Sequence, residues 1–175
     1  GNHRILGRYA AAFSWKSAVE LGAGDGELLR RLASRFPDRH LRGIDFAPQP
    51  SQLPKNVSWL REDILESDFS STDVLVANLI LHHFTNEQLK ALAPRLRDCS
   101  AIFTVEPFRD RRAMFLSRGM GPFVNEVTRH DMKASIEAGF RPGELPELLG
   151  LNSETWRVEE RTTFRGALVL AAWKR

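Results

Sequence analysis

The chain has 175 residues, 42% hydrophobic and 27% charged, with a single Cys and a net charge of +3. That length suits one domain, and the apolar content is ample for one core. The lone Cys99 excludes a disulfide scaffold and a Cys-rich zinc site and points to a reducing compartment, the cytoplasm; no apolar run approaches the roughly 20 residues of a membrane helix.

Short apolar runs rich in strand-forming residues alternate with segments of helical period, the pattern of a parallel sheet with crossover helices. Residues 17–21 (SAVEL) read as a buried strand and 27–36 (ELLRRLASRF) as a helix with Leu28, Leu29, Leu32 and Phe36 on one face. Residues 40–46 and 57–60 are the second and third strands. Between them Pro48, Pro50 and Pro54 leave a link shorter than parallel pairing usually uses. Residues 72–80 (TDVLVANLI) are nearly continuously apolar, as a strand covered on both faces should be. The next helix is predicted to start with Thr85 as N-cap and Gln88 at the capping-box position, with Pro94 kinking or ending it. Residues 100–105 form a fifth strand, and Thr128 opens a helix that Gly139 stops. Residues 155–161 and 166–173 close the chain as two strands. The expected fold class is α/β: a seven-stranded, mostly parallel sheet with a C-terminal antiparallel hairpin and helices on both faces.

The stretch that carries chemistry is Val19-Glu20-Leu21-Gly22-Ala23-Gly24-Asp25-Gly26, where the first strand meets the first of these helices. Alternate glycines let backbone pass close under a ligand, and the helix behind offers free N–H groups. A dinucleotide fingerprint spaces its glycines G-x-G-x-x-G to seat a pyrophosphate; this chain has G-x-G-x-G. Glu20 immediately before them would repel a pyrophosphate and suits a cationic ligand group. Asp45 ends the second strand, where a carboxylate can accept from both hydroxyls of a ribose. Asp63 and Ile64 follow the third strand, and Asn78 lies near the end of the fourth. Polar groups at successive strand ends converge on the crevice where open α/β sheets bind ligands.

On VELGAGDG, GIDF, REDI, ANLILHHF, the EPF after the fifth strand and the closing hairpin, the chain resembles the class I S-adenosylmethionine-dependent methyltransferases with their Rossmann-like fold. It is particularly similar to the small-molecule branch of ubiquinone- and menaquinone-biosynthesis enzymes. The resemblance implies S-adenosylmethionine as cofactor and S-adenosylhomocysteine as product. It implies that Gly22, Ala23, Gly24 and Gly26 underlie the methionine portion and that Glu20 orients its amino group. Asp45 would hold the ribose with Phe46 against the adenine, Asp63 and Ile64 would read the adenine edge, and Asn78 would lie near the methionine or the methyl. Such enzymes carry N-terminal helices over the cofactor, so residues 1–16 are expected as the remnant of a cap.

Methyl transfer from a sulfonium is an in-line displacement, so the enzyme chiefly aligns the reactants and excludes water, with a base only where the acceptor must lose a proton. The candidate catalytic residues are His82, His83, Glu106 and His130. Read as extended chain, consecutive His82 and His83 point oppositely, so at most one is expected to face the substrate. No third ligand stands at a recognisable spacing from that pair, so no metal is expected. The insertion from 107 to 151 holds Phe108, Met114, Phe115, Leu116, Met120 and Phe123 and is expected to roof the substrate site.

The basic excess does not concentrate. Residues 1–60 hold nine basic and five acidic groups, 61–105 four and seven, and 106–175 twelve and ten; the one local cluster is Arg109, Arg111, Arg112 and Arg118. Amino methylation of DNA bases in the same superfamily uses an N/D-P-P-F/Y/W tetrad where this chain has Asn78-Leu79-Ile80-Leu81, and Cys99 has no adjacent proline for a cytosine-carbon mechanism. The expected function is therefore methyl transfer to oxygen or carbon of a small, apolar or aromatic metabolite, with no nucleic-acid partner. The alternatives are an RNA methyltransferase, motivated by the Arg cluster, and a non-catalytic binding protein of the same fold.

Overall fold

A computed structural model of the chain describes residues 1–109, 138–164 and 166–175. Strands β1 (Ser17–Leu21), β2 (His40–Ile44), β3 (Val57–Leu60), β4 (Val74–Asn78), β5 (Ala101–Pro107), β6 (Trp156–Thr162) and β7 (Ala167–Lys174) form one sheet in the order β3-β2-β1-β4-β5-β7-β6. The first five pair in parallel, while β7 runs antiparallel to both β5 and β6. The expected architecture is therefore the observed one. Parallel pairing of β2 and β3 holds despite the Pro-rich link, which is tied back by Trp59 Nε1 donating to Ala47 O and Arg61 Nε to Phe46 O.

Because side chains alternate across a strand, the sheet feeds two cores. Val19, Leu21, Leu75, Ala77 and Ile102 face one layer, with α3 (Asn86–Leu92) contributing Leu89 and Leu92 and α4 (Glu144–Leu148) contributing Leu145. Ala18, Val74, Val76, Phe103 and Val105 face the other, covered by α1 (Asn2–Ala11) through Leu6 and Ala10 and by α2 (Glu27–Arg35) through Leu28, Leu29 and Leu32. Several boundaries differ from expectation by one or two residues; β4 ends at Asn78, two residues before the apolar run does, because Leu79 leaves the strand with φ at +59°.

The capping box of α3 forms as its sequence predicts: Gln88 N donates to Thr85 Oγ1 and Thr85 N to Gln88 Oε1. Pro94 falls at the start of a 3₁₀ turn, Ala93–Asp98, that continues the helix. Two short elements carried no clear signal in the sequence, α4 and a 3₁₀ turn at Leu81–His83. The expected helix from Thr128 lies almost wholly outside the described residues, as do the apolar residues 114–123 of the insertion. Among the described residues no helix is long and apolar enough to cross a membrane.

Candidate cofactor and acceptor site

Strand order reverses between β1 and β4, so a crevice opens at their carboxyl ends. The chain leaving β1 there turns through Gly22, Gly24 and Gly26, all with positive φ. Gly22 and Ala23 donate their N–H groups to Ile44 O at 2.9 and 3.2 Å, which pins the loop to the end of β2. At Gly22 glycine is obligatory twice over: φ is +62°, and a Cβ would lie 2.5 Å from the Ile80 side chain. At Gly24, φ is +54° and a Cβ would meet nothing within 4 Å, so the loop presents bare backbone to open space.

Glu20 lies immediately before this loop and is 4% exposed. Its Oε2 is buried without a hydrogen-bond partner. Burial, reinforced by the charges of Asp25 and Asp45, holds its carboxyl well above the usual carboxylate range. A buried acid with an orphan oxygen is costly by itself, and a cation brought to it would relieve that cost.

Asp45 accepts from Gly24 N through Oδ2 and from Ala47 N through Oδ1, both at 2.8 Å, so one carboxylate ties the glycine loop to the turn after β2. With about four lone-pair directions it retains capacity for a ligand's hydroxyls. A cavity of about 330 Å³ beside it is lined by Gly22, Asp45, Phe46, Asp63, Ile64 and Ile80. Phe46 is 68% exposed, an apolar ring at the rim. Asp63 Oδ1 accepts from Leu65 N, which shapes the loop after β3. The structure thus gathers Gly22, Asp45, Phe46, Asp63 and Ile64 around one cavity, as their positions in the sequence lead one to expect.

Of the other expected cofactor residues, Glu20, Ala23, Gly24, Gly26 and Asn78 do not line this cavity. Gly26 is the N-cap of α2, and Ala23, 5% exposed, packs into the core. Asn78 does not line the cavity; its Oδ1 accepts from Asn2 Nδ2 at 3.0 Å, which ties the start of α1 to the end of β4.

The catalytic candidates separate. Glu106 is fully buried and accepts from Ile80 N, Leu81 N and His82 N, while its Oε2 lies 2.8 Å from His82 Nδ1. His82 and Glu106 therefore face each other inside the protein, and neither lines the cavity. His83 does, alongside Phe84 and Gln88. The two histidines are not in extended chain but in the 3₁₀ turn, with ring centroids 4.1 Å apart, and still one alone faces outward. Desolvation, helped by neighbouring His82, pushes the His83 pKa down. His130, Arg111, Arg112 and Arg118 lie outside the described residues. Among the described residues no group of three or more His, Cys, Asp or Glu is placed to hold a metal ion. Sequence reasoning missed Ile80, whose side chain covers Gly22; its place at the end of an apolar run gave no sign that the strand stops before it.

Residues 19–101 match the model of the methyltransferase domain family. That match spans just under half of the chain. The chain is similar to the malonyl-[acyl-carrier protein] O-methyltransferase of Bacillus anthracis, at 33% identity over 86 residues. That match takes in 43% of this chain and 32% of that enzyme, so the chain spans about a third of that relative's length. In fold it resembles the plantazolicin methyltransferase BpumL in complex with SAH, with a TM-score of 0.77 at 16% identity, covering 99% of this chain and 82% of that one. It also resembles human N-acetylserotonin methyltransferase in complex with SAM, with a TM-score of 0.66 at 17% identity over 97% of this chain and 52% of that one.

Proposed function

We propose that this chain binds S-adenosylmethionine at the β1/β4 crevice and transfers its methyl group to oxygen or carbon of a small, apolar or aromatic acceptor. The observation that carries the reading is Glu20: a buried carboxylate with an orphan oxygen, next to bare glycine backbone. The cofactor's ammonium is the cationic partner that this carboxylate lacks. Asp45 would accept from the ribose hydroxyls, Phe46 and Ile64 would sandwich the adenine, and Asp63 would accept from its exocyclic amine. Gly22 and Gly24 would run beneath the methionine portion. When bound, the cofactor supplies a methyl group already activated by its sulfonium.

The chain's own part is alignment, exclusion of water and handling of the acceptor's proton. His83 lines the cavity with a depressed pKa, so its ring is neutral near pH 7 and can take a proton from a hydroxyl or enolic acceptor. Glu106 and His82 act as positioning residues: their pairing holds the 3₁₀ turn that presents His83 and seats Ile80 over Gly22. The apolar lining by Phe84, Ile80 and Leu65 favours an apolar acceptor, and the O-methyltransferase similarity agrees with transfer to oxygen. Calorimetric titration with S-adenosylmethionine and S-adenosylhomocysteine tests the reading. Saturable binding that Glu20→Gln abolishes is expected, and absence of binding to the full-length protein would overturn it.

A further inference from the structure

A second cavity lies elsewhere: an open groove of about 640 Å³ between α1 and α2. Five arginines line it, Arg4 and Arg8 from α1 and Arg30, Arg31 and Arg35 from α2. Glu27 is the single acidic residue of its lining and is already engaged by Arg30 and Arg31. Arg4, Arg8 and Arg35 pair with no carboxylate among the described residues. The groove thus holds a surplus of four positive charges, more than the +3 of the whole chain.

Two features run against helix stability and are therefore informative. Arg4 and Arg8, and likewise Arg31 and Arg35, are spaced i,i+4, where like charges on one helix face repel. Gly7 stands in the interior of α1 and is buried on the groove floor, although glycine weakens a helix interior. A Cβ there would make only an ordinary contact, 3.9 Å from Arg35 Nη1, so packing does not demand glycine. Its effect is to leave the floor open beneath the guanidinium groups.

We propose that this groove is a docking surface for an acidic segment of a partner protein. Arg4 and Arg8 stand about 6 Å apart along α1 and Arg30 and Arg35 about 7.5 Å apart along α2, so the cations leave the helices in two rows rather than from one point, which matches a segment with several carboxylates better than a single phosphate. Among the described residues lining the groove there is no Phe, Tyr or Trp on which nucleobases could stack, which disfavours single-stranded nucleic acid. The groove also begins at the cofactor end of the sheet. Asn2 of α1 is bonded to Asn78, and Arg30 Nη2 donates to Asp25 O in the glycine loop at 2.7 Å. A partner seated there lies beside the β1/β4 crevice.

The inference does not depend on the acceptor's identity, and its test needs no turnover. Binding of a labelled oligoglutamate peptide to the full chain is measured by fluorescence anisotropy, with a single-stranded RNA oligomer of equal charge in a parallel arm. Saturable peptide binding that weakens as salt rises from about 0.05 to about 0.5 M is expected. The triple variant Arg4→Glu, Arg8→Glu, Arg35→Glu should weaken it at least about tenfold. A control with the same charge change elsewhere, Lys55→Glu, Arg97→Glu, Arg157→Glu, should weaken it far less. Gly7→Met fills the floor without altering charge and should also weaken binding several-fold, which keeps the test decisive should the triple variant fail to fold. Absence of peptide binding, equal loss in the control, or tighter binding of RNA at the same groove would overturn the proposal.

Discussion

His82 Nδ1 lies 2.8 Å from Glu106 Oε2, and the same carboxylate accepts from Ile80 N, Leu81 N and His82 N. A carboxylate at the end of β5 thus fixes a turn after β4, and the turn gives one histidine to the interior and the next to the cavity. Glu106→Gln removes the charge and turns one acceptor into a donor facing His82. It should cost roughly 2–4 kcal/mol of folding stability, as the loss of a buried charge-assisted network does. Urea denaturation reads this directly; a midpoint equal to that of the parent would show that the pairing holds nothing. If the pair positions His83, the variant should also lose kcat while keeping the acidic limb of the pH profile.

Glu20 offers a test in which stability and binding move oppositely. Its folded-state pKa is raised by burial, so the folded chain holds a proton that the unfolded chain has released. Folding stability should therefore fall as pH rises above the ordinary carboxylate value of about 4.5, because ionisation inside the protein becomes steadily more costly than outside. Glu20→Gln removes that slope and should raise the melting temperature of the ligand-free protein near pH 7. The same substitution should abolish S-adenosylmethionine binding. Calorimetry in buffers of differing ionisation enthalpy should show proton release on cofactor binding to the parent, because a cation at Glu20 favours its charged form. A melting temperature lowered by the substitution, with binding intact, would contradict both arguments.

The sheet and the place of its crevice were readable because each rests on a local signal. Largely apolar runs at 17–21 and 72–80 announce buried parallel strands, and G-x-G-x-G with carboxylates at strand ends marks a ligand crevice. The acceptor side was not readable in the same way. Which of His82 and His83 faces outward depends on Glu106, 24 residues beyond His82, through a hydrogen bond that no spacing encodes. Asn78 illustrates the same limit: its partner Asn2 is 76 residues distant, so the bond that ties the end of β4 to α1 has no local signal. The charge balance, diffuse along the sequence, becomes concentrated only when α1 and α2 come side by side.

Cys99 is fully buried, and desolvation pushes its thiol pKa up to about 12. The thiolate is the nucleophile, so the native protein should react with a disulfide reagent such as DTNB only as fast as it opens. Native labelling slower by several orders of magnitude than in about 6 M guanidinium is expected. Rapid native labelling at pH 8 would show that the β5 entry is far looser than its packing implies.

His83 carries the pH dependence of the proposed reaction. Its pKa is depressed below 6.5, first by desolvation and then by His82. The unfolded chain therefore takes up this proton before the folded one does, and folding stability should fall as pH drops below 6.5, an effect absent from His83→Ala. For catalysis the sign is the same: the ring is a free base through neutral pH and becomes charged only on the acid side. The kcat/KM profile should be flat near pH 7 and fall below pH 6.5. If His83 removes the acceptor's proton, His83→Ala should lower kcat by about 10²–10⁴-fold and abolish the acidic limb. A substitution that leaves kcat within about twofold would reduce His83 to a wall of the cavity, because general-base catalysis contributes far more than that.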